Sequence, residues 1–227
     1  MEENNIKSNL TLIKNTRQEQ ENKQETNEVN QEKEKLAEEK TKFIRLLKST
    51  SRIGIDELIS FLESKTDFFT APASTRFHGS HEGGLLEHSL KVFEIYSKKI
   101  EGFYDKEKLG NFNEDSVKIS SLLHDICKIN YYTTSYKNVK NKVTGNWEQE
   151  PYFTVNDTIP FGHGEKSVMI LSEFIKLLPE EKYAIRWHMG FTEPKEQYNT
   201  IGIAYEKYPL ALLLHEADLE ATYFYNI

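Results

Sequence analysis

Seven histidines stand in this 227-residue chain, and their placement says more than their number. His88, His124 with Asp125 beside it, His163, His188 and Asp218 each fall within or at the end of a different apolar-periodic segment. One histidine in such a segment is more often a hydrogen-bonded core or edge residue than a ligand. Several segments, each presenting one imidazole or carboxylate, are harder to explain that way. Facing helices with inward N and O donors are how helical bundles hold metal ions, and imidazole with carboxylate suits Zn, Fe, Mn, Co or Ni. The stretch SSLLHDICKI is the sharpest case. Neighbouring helical positions point about 100° apart, so His124 and Asp125 can meet only through something both touch. A metal ion is one such thing; a solvent-facing polar edge is the other reading.

The elements that must position these residues are mostly helical. IDELISFLESK has 3.6-residue apolar spacing and is expected to start after an Asp cap. GGLLEHSLKVFEIYSKKI is a long amphipathic helix entered through Gly83-Gly84. NEDSVKISSLLHDICKI is another, with Asn113 as N-cap and acids in its first turn. The period then changes: residues 131–155, rich in Tyr, Thr and Val around Thr144-Gly145-Asn146, read as a β-hairpin. Its aromatics Tyr131, Tyr132, Tyr136, Trp147, Tyr152 and Phe153 alternate enough to give it one packed face. Helices resume with GEKSVMILSEFIKLL and with PEEKYAIRWHMG, which has Pro179 early and Gly190 at the exit. PLALLLHEADLEATYFY is apolar around most of its circumference and is expected to be central. The expectation is an all-α domain over 41–227 with one inserted β-hairpin. Residues 1–40 are mostly Glu, Gln, Asn and Lys, too polar to offset their ordering entropy by burial, and read as a disordered or solvated-helical tail.

Composition narrows the function classes. A net charge of -7 argues against a general basic surface for duplex nucleic acid, though not against a small basic groove. The single cysteine, Cys127, excludes an internal disulfide framework and a thiolate zinc site and suits a reducing compartment. No stretch approaches the roughly 20 apolar residues of a membrane span, and MEENNIKSNL lacks a signal-peptide apolar region. The expectation is a cytoplasmic protein with no membrane partner.

Five segments in order, GGLLEHSL, LLHDICKI, GHGEKS, IRWHMG and LLLHEADLEA, resemble local signatures of the HD superfamily of metal-dependent phosphohydrolases. The likeness runs from about Arg76 to Ala221. It implies an HD-domain helical bundle in which His88, His124, Asp125 and Asp218 bind a first metal. His163 and His188 match the additional histidines of the binuclear subgroup. Asp125 would then bridge two divalent transition-metal ions about 3.5–4 Å apart, with a metal-bound hydroxide as nucleophile. The implied enzyme hydrolyses a phosphomonoester or phosphodiester bond of a nucleotide or short oligonucleotide; short RNA is a further possible partner. Lys128 falls in the HDxxK position and would contact a phosphate oxygen; its other reading is a solvated lysine at a helix C-terminus. Arg76 and His78, in the glycine-rich turn STRFHGSHEGG, either face a substrate phosphate or belong to an incidental surface loop. His215, one turn before Asp218, either supports that carboxylate or lies on the helix surface. GHGEKS is not a P-loop, because Glu165 stands where glycine must precede Lys-Ser. Two other readings are an HD-type di-iron oxygenase and a non-catalytic nucleotide-binding module of the same fold.

Overall fold

The computed structural model describes residue 27 and residues 29–110 and 112–227. They fall in two compact units, residues 1–39 and residues 40–227. In the first, residues 29–39 are helical and mostly exposed. The rest of the expected tail, residues 1–26 and 28, lies outside the described residues.

The second unit is all-α with one antiparallel hairpin. Helix α1 (residues 40–48) precedes α2 (Ile55–Lys65), α3 (Gly84–Gly102), the short α4 (Lys106–Leu109) and α5 (Glu114–Leu123). A 3-10 turn at Ile126–Lys128 leads into β1 (Tyr132–Lys140) and β2 (Trp147–Val155). Then follow α6 (His163–Ser172), α7 (Pro179–Trp187), α8 (Tyr198–Lys207) and α9 (Pro209–Tyr225). The apolar α9 is central as expected, packing on α3, α5, α7 and α8. Its Leu210, Ala211, Leu214 and Ala217 join Val92 and Tyr96 of α3 in one buried cluster. Each fully buried leucine there contributes about 1.5–3 kcal/mol of transfer free energy. The Tyr96 hydroxyl donates to Leu210 O at 3.0 Å, so the aromatic buries no unpaired polar atom.

Asn113 caps α5 as read, its side chain accepting from Asp115 N at 2.9 Å. Five readings are revised. The N-cap of α2 is Gly54, at φ 90, with Asp56 inside the first turn. Helix α5 ends at Leu123 instead of running through His124 and Asp125, and α6 ends at Ser172. Helix α8 was unforeseen, because YNTIGIAYEK combines weak helix formers with Gly202 and shows no clean stripe. Finally, the hairpin has no packed aromatic face. Tyr136 is 64 % and Trp147 70 % exposed, and only Tyr131, Tyr132, Tyr152 and Phe153, nearer its base, are half-buried. Among the described residues, no helix is long and apolar enough to cross a membrane.

Candidate metal centre

Two glycines set the approach of the elements that carry the histidines. A Cβ on Gly84 would come 2.0 Å from Gly79 O, so only glycine lets the preceding loop lie against the start of α3. That loop carries His78, whose ring centre is 5.3 Å from that of His88. A Cβ on Gly164 would come 2.2 Å from Arg186 O, so α6 and the end of α7 meet backbone to backbone. The neighbouring His163 thereby comes within 5.1 Å of His188, ring centre to ring centre.

Two imidazoles are aimed by helix ends. His124 and His188 occupy the C-cap positions of α5 and α7, where the last carbonyls lack intrahelical partners. His124 Nδ1 donates to Ser121 O at 2.7 Å, and His188 Nδ1 donates to Ile185 O at 2.6 Å. His88, buried in α3, donates its Nδ1–H to the backbone oxygen of Ile227 at 2.9 Å. These acceptors assign the tautomer: the proton sits on Nδ1, leaving a lone pair on each Nε2.

The lone pairs converge. His88 Nε2 lies 3.3 Å from His124 Nε2, with no proton available between them. It lies 3.1 Å from Asp218 Oδ1 and 3.7 Å from Asp125 Oδ2. His124 Nε2 is 3.5 Å from Asp125 Oδ2 and 3.9 Å from Asp218 Oδ1. His188 Nε2 is buried without a hydrogen-bond partner, 3.4 Å from Asp125 Oδ1. His163 Nε2 lies 2.7 Å from that same oxygen. One oxygen of Asp125 therefore faces His163 and His188, while the other faces His88 and His124. The chain turns to make this possible: Asp125, at φ -101 and ψ 18, has left the helix and caps the following 3-10 turn. Its side chain thus meets that of His124 although the two are adjacent.

These residues fit a divalent cation. Donor atoms about 2.1 Å from an ion lie roughly 3.0–3.4 Å apart in octahedral to tetrahedral arrangements, close to the spacings above. A cation also relieves what is otherwise unfavourable here, facing lone pairs and an orphaned buried nitrogen. Among the described residues, three groupings have ligand atoms within 4.8 Å of one another: His88, His124 and Asp125; His124, His188 and Asp218; Asp125, Cys127 and His163.

Lys128 sits with its ammonium 2.7 Å from Asp125 Oδ2, three residues along the chain. It is not a solvated lysine. Burial alone would raise the Asp125 carboxyl, but Lys128, His124 and His163 hold it well below the usual carboxylate range. Burial opposes the charged form of Asp218 in the same way, and the neighbouring His88, with His124 and His188 around it, lowers its pKa. Burial pushes His124 down to about 3, against the pull of Asp125. For His188 the Asp125 carboxylate outweighs burial, and its pKa rises. Burial, with His88 and Lys128 nearby, lowers His78 to about 4. The His78 Nδ1 has no partner.

The remaining sequence candidates fall elsewhere. Arg76 does not join the cluster; it is exposed and lines a cleft shared with the hairpin. His215 is half-buried, and its Nδ1 donates to His188 O at 2.6 Å, bracing the backbone of another candidate ligand. Glu165 pairs with Arg186 and Glu87 with His81, so neither is a free solvent-facing acid. Cys127 is buried, with its Sγ 3.4 Å from His163 Nδ1. Burial raises its thiol to about 12, so the protonated sulfur supports the His163 ring. Its position, three residues after His124, carried no signal by itself.

No protein-family model matches the chain, and no solved structure matches it. One curated relative is the dihydroneopterin 2′,3′-cyclic phosphate phosphodiesterase of Methanocaldococcus jannaschii, 35% identical over 98 residues. That stretch is 42% of this chain and 35% of the archaeal protein, so the likeness covers about a third of that relative's length.

Proposed function

We propose that the chain is an HD-type metal-dependent phosphohydrolase that cleaves a phosphodiester of a nucleotide-like substrate. The observation that carries this reading is the convergence of three buried imidazole lone pairs on two carboxylates, each imidazole locked by a backbone acceptor. That is a donor set built for a cation rather than for a proton. The partial likeness to a cyclic-phosphate phosphodiesterase supports the same reaction class.

In this reading His88, His124, Asp125 and Asp218 would hold one ion, and His163 and His188, together with Asp125, would hold a second. A divalent ion bound there supplies Lewis acidity towards a phosphoryl oxygen and lowers the pKa of a coordinated water towards about 7. The chain's own groups do the rest. Nδ1–H bonds to backbone oxygens fix the orientation of the three imidazoles and aim each Nε2 at the carboxylates. Asp125 and Asp218, both held ionised, supply the negative charge that a divalent ion needs. Lys128 moves from pairing the bare carboxylate to stabilising phosphoryl charge once a cation sits at Asp125. In this reading His78, beside His88, would donate or accept a hydrogen bond at the leaving group.

Metal analysis of the purified protein, followed by a screen of cyclic nucleotides, cyclic dinucleotides, nucleotides and model diesters, tests this. Stoichiometric Mn, Fe, Co, Ni or Zn with metal-dependent phosphodiester cleavage is the expected result. Metal-loaded protein that consumes oxygen and cleaves no phosphate ester would overturn it in favour of an oxygenase.

A further inference from the structure

The hairpin is a two-stranded ribbon, and such ribbons are marginal in water without a partner. Its register pairs Tyr132 with Val155, Thr134 with Phe153, Tyr136 with Pro151, Asn138 with Gln149 and Lys140 with Trp147. Alternate cross-strand pairs share a face, so these ten side chains lie together. That face carries aromatics, amides and one lysine, and no carboxylate. Both acids of the strands, Glu148 and Glu150, lie on the opposite face, where Glu150 pairs with Lys137 at 3.6 Å. In a chain of net charge -7, an acid-free surface of nine-residue strands is a local departure.

The face leads towards the metal centre. At its base Tyr132 anchors to Ala73 O at 3.0 Å. Beside it, a cleft of about 750 Å³ lies between the ribbon and the loop bearing Thr75, Arg76 and Ser80. Thr134, Pro151 and Phe153 of this face line it, with Lys137, Glu150 and Tyr152 from the ribbon's other face, and Glu150, held by Lys137, is the acid among them. Two residues after Arg76 comes His78, against His88. Moving outward from the cleft, the exposed aromatics Tyr136 and Trp147 follow along the same face. A single nucleotide needs only the cleft. Aromatics continuing beyond it suit a chain of bases, and Arg76 and Lys140 supply the charge its phosphates require.

We infer that this ribbon face is a stacking platform for a single-stranded oligonucleotide, whose end enters the cleft and reaches the metal centre. Bases stack on Tyr136 and Trp147, a sequence-tolerant interaction, while Arg76 and Lys140 meet phosphates. A second copy of the chain is a poorer occupant, since the same face of a partner has no carboxylate to offer Lys140. The inference rests on the phosphodiesterase reading for its product, but not for its binding.

The test uses metal-loaded protein and short phosphorothioate oligonucleotides, which resist turnover, in deoxyribose and ribose versions. Labelled oligonucleotide should bind saturably, more weakly as salt rises, and quench Trp147 fluorescence. The double variant Tyr136→Ala/Trp147→Ala should weaken binding at least about tenfold. It should lower by a similar factor the preference for a normal oligonucleotide over bis(p-nitrophenyl) phosphate, read as the ratio of kcat/KM. A preference for either version tells RNA from DNA and supports the platform. Binding unchanged in the double variant, or no binding by the wild type, overturns it. So does a wild-type dimer that the double variant renders monomeric without oligonucleotide binding. Oligonucleotide binding with no hydrolysis of any diester supports the platform and defeats the phosphodiesterase reading. Hydrolysis of the small diester without oligonucleotide binding does the reverse.

Discussion

Asp125 and Lys128 answer to different tests, although they touch. Asp125 offers one oxygen to each side of the cluster, so Asp125→Ala is expected to remove metal and phosphodiester cleavage together, read by metal analysis and product release. Lys128→Ala is expected to keep the metal and lower kcat/KM on charged diesters by about 10²-fold, the scale of losing one electrostatic stabiliser. Equal metal loss in both variants would show that the lysine builds the site instead of acting in it. The buried imidazoles give a second expectation at this scale, for the metal-free protein. His124 and His78 have folded pKa values of about 3 and about 4, below the ordinary 6.5. Between those values the unfolded chain binds more protons, so both groups lose stability as pH falls through that window. His188 is raised above 6.5, so its contribution is present below that pH and disappears as pH rises through its folded pKa. Denaturant unfolding in a chelator should therefore show greatest stability near neutral pH. A flat profile from pH 4 to 8 would contradict these assignments.

At the scale of elements, the site depends on helices ending where they do. Had α5 continued past Leu123, the carbonyl of Ser121 would be bonded within the helix and His124 would lose its acceptor. The approach of α6 to α7 is equally specific. Gly164→Ala would put a methyl 2.2 Å from the Arg186 carbonyl, and both partners are backbone, so one helix must move. The expected cost is about 1–3 kcal/mol of stability, with reduced metal content because His163 moves with α6. Metal analysis and thermal unfolding read the two effects separately. A second anchor of α7 is polar. Glu181, fully buried, accepts from Arg52 at 2.7 and 3.1 Å, from Leu178 N at 2.7 Å and from Ser116 at 2.9 Å. Arg52→Met strands that carboxylate and should destabilise the protein by about 3–5 kcal/mol, with metal stoichiometry retained in the folded fraction.

Across the whole molecule, the charged segment and the apolar one have different tasks. Residues 1–39 carry almost nothing that burial could stabilise. Their removal is proposed to leave the unfolding temperature and metal content of residues 40–227 unchanged. A drop of several degrees would show that the segment packs on the domain. Within the second unit, the buried cluster of α3 and α9 holds His88 and Asp218 on facing helices. Its integrity and that of the proposed metal centre are therefore linked: a Leu214→Ala cavity, costing about 2–5 kcal/mol, should lower metal affinity as well as stability.

Much of this was legible from residue order because it is local. Periodicity marks α3, α5, α7 and α9, Asn113 marks a cap, and the Thr-Gly-Asn turn marks the hairpin; each depends on residues within a few positions of one another. The six candidate ligands were legible as types on separate elements. Their convergence was not, because no local pattern records the angle at which α6 meets α7 or the point at which α5 stops. That stop is decided by tertiary packing, which lets Asp125 leave the helix towards His163 while His124 keeps the carbonyl of Ser121. Sequence also misjudged the hairpin face. Alternating aromatics look alike whether a neighbour covers them or not, and only the tertiary structure leaves Tyr136 and Trp147 in solvent. Burial is a property of what lies opposite, and what lies opposite is set by contacts far apart along the chain.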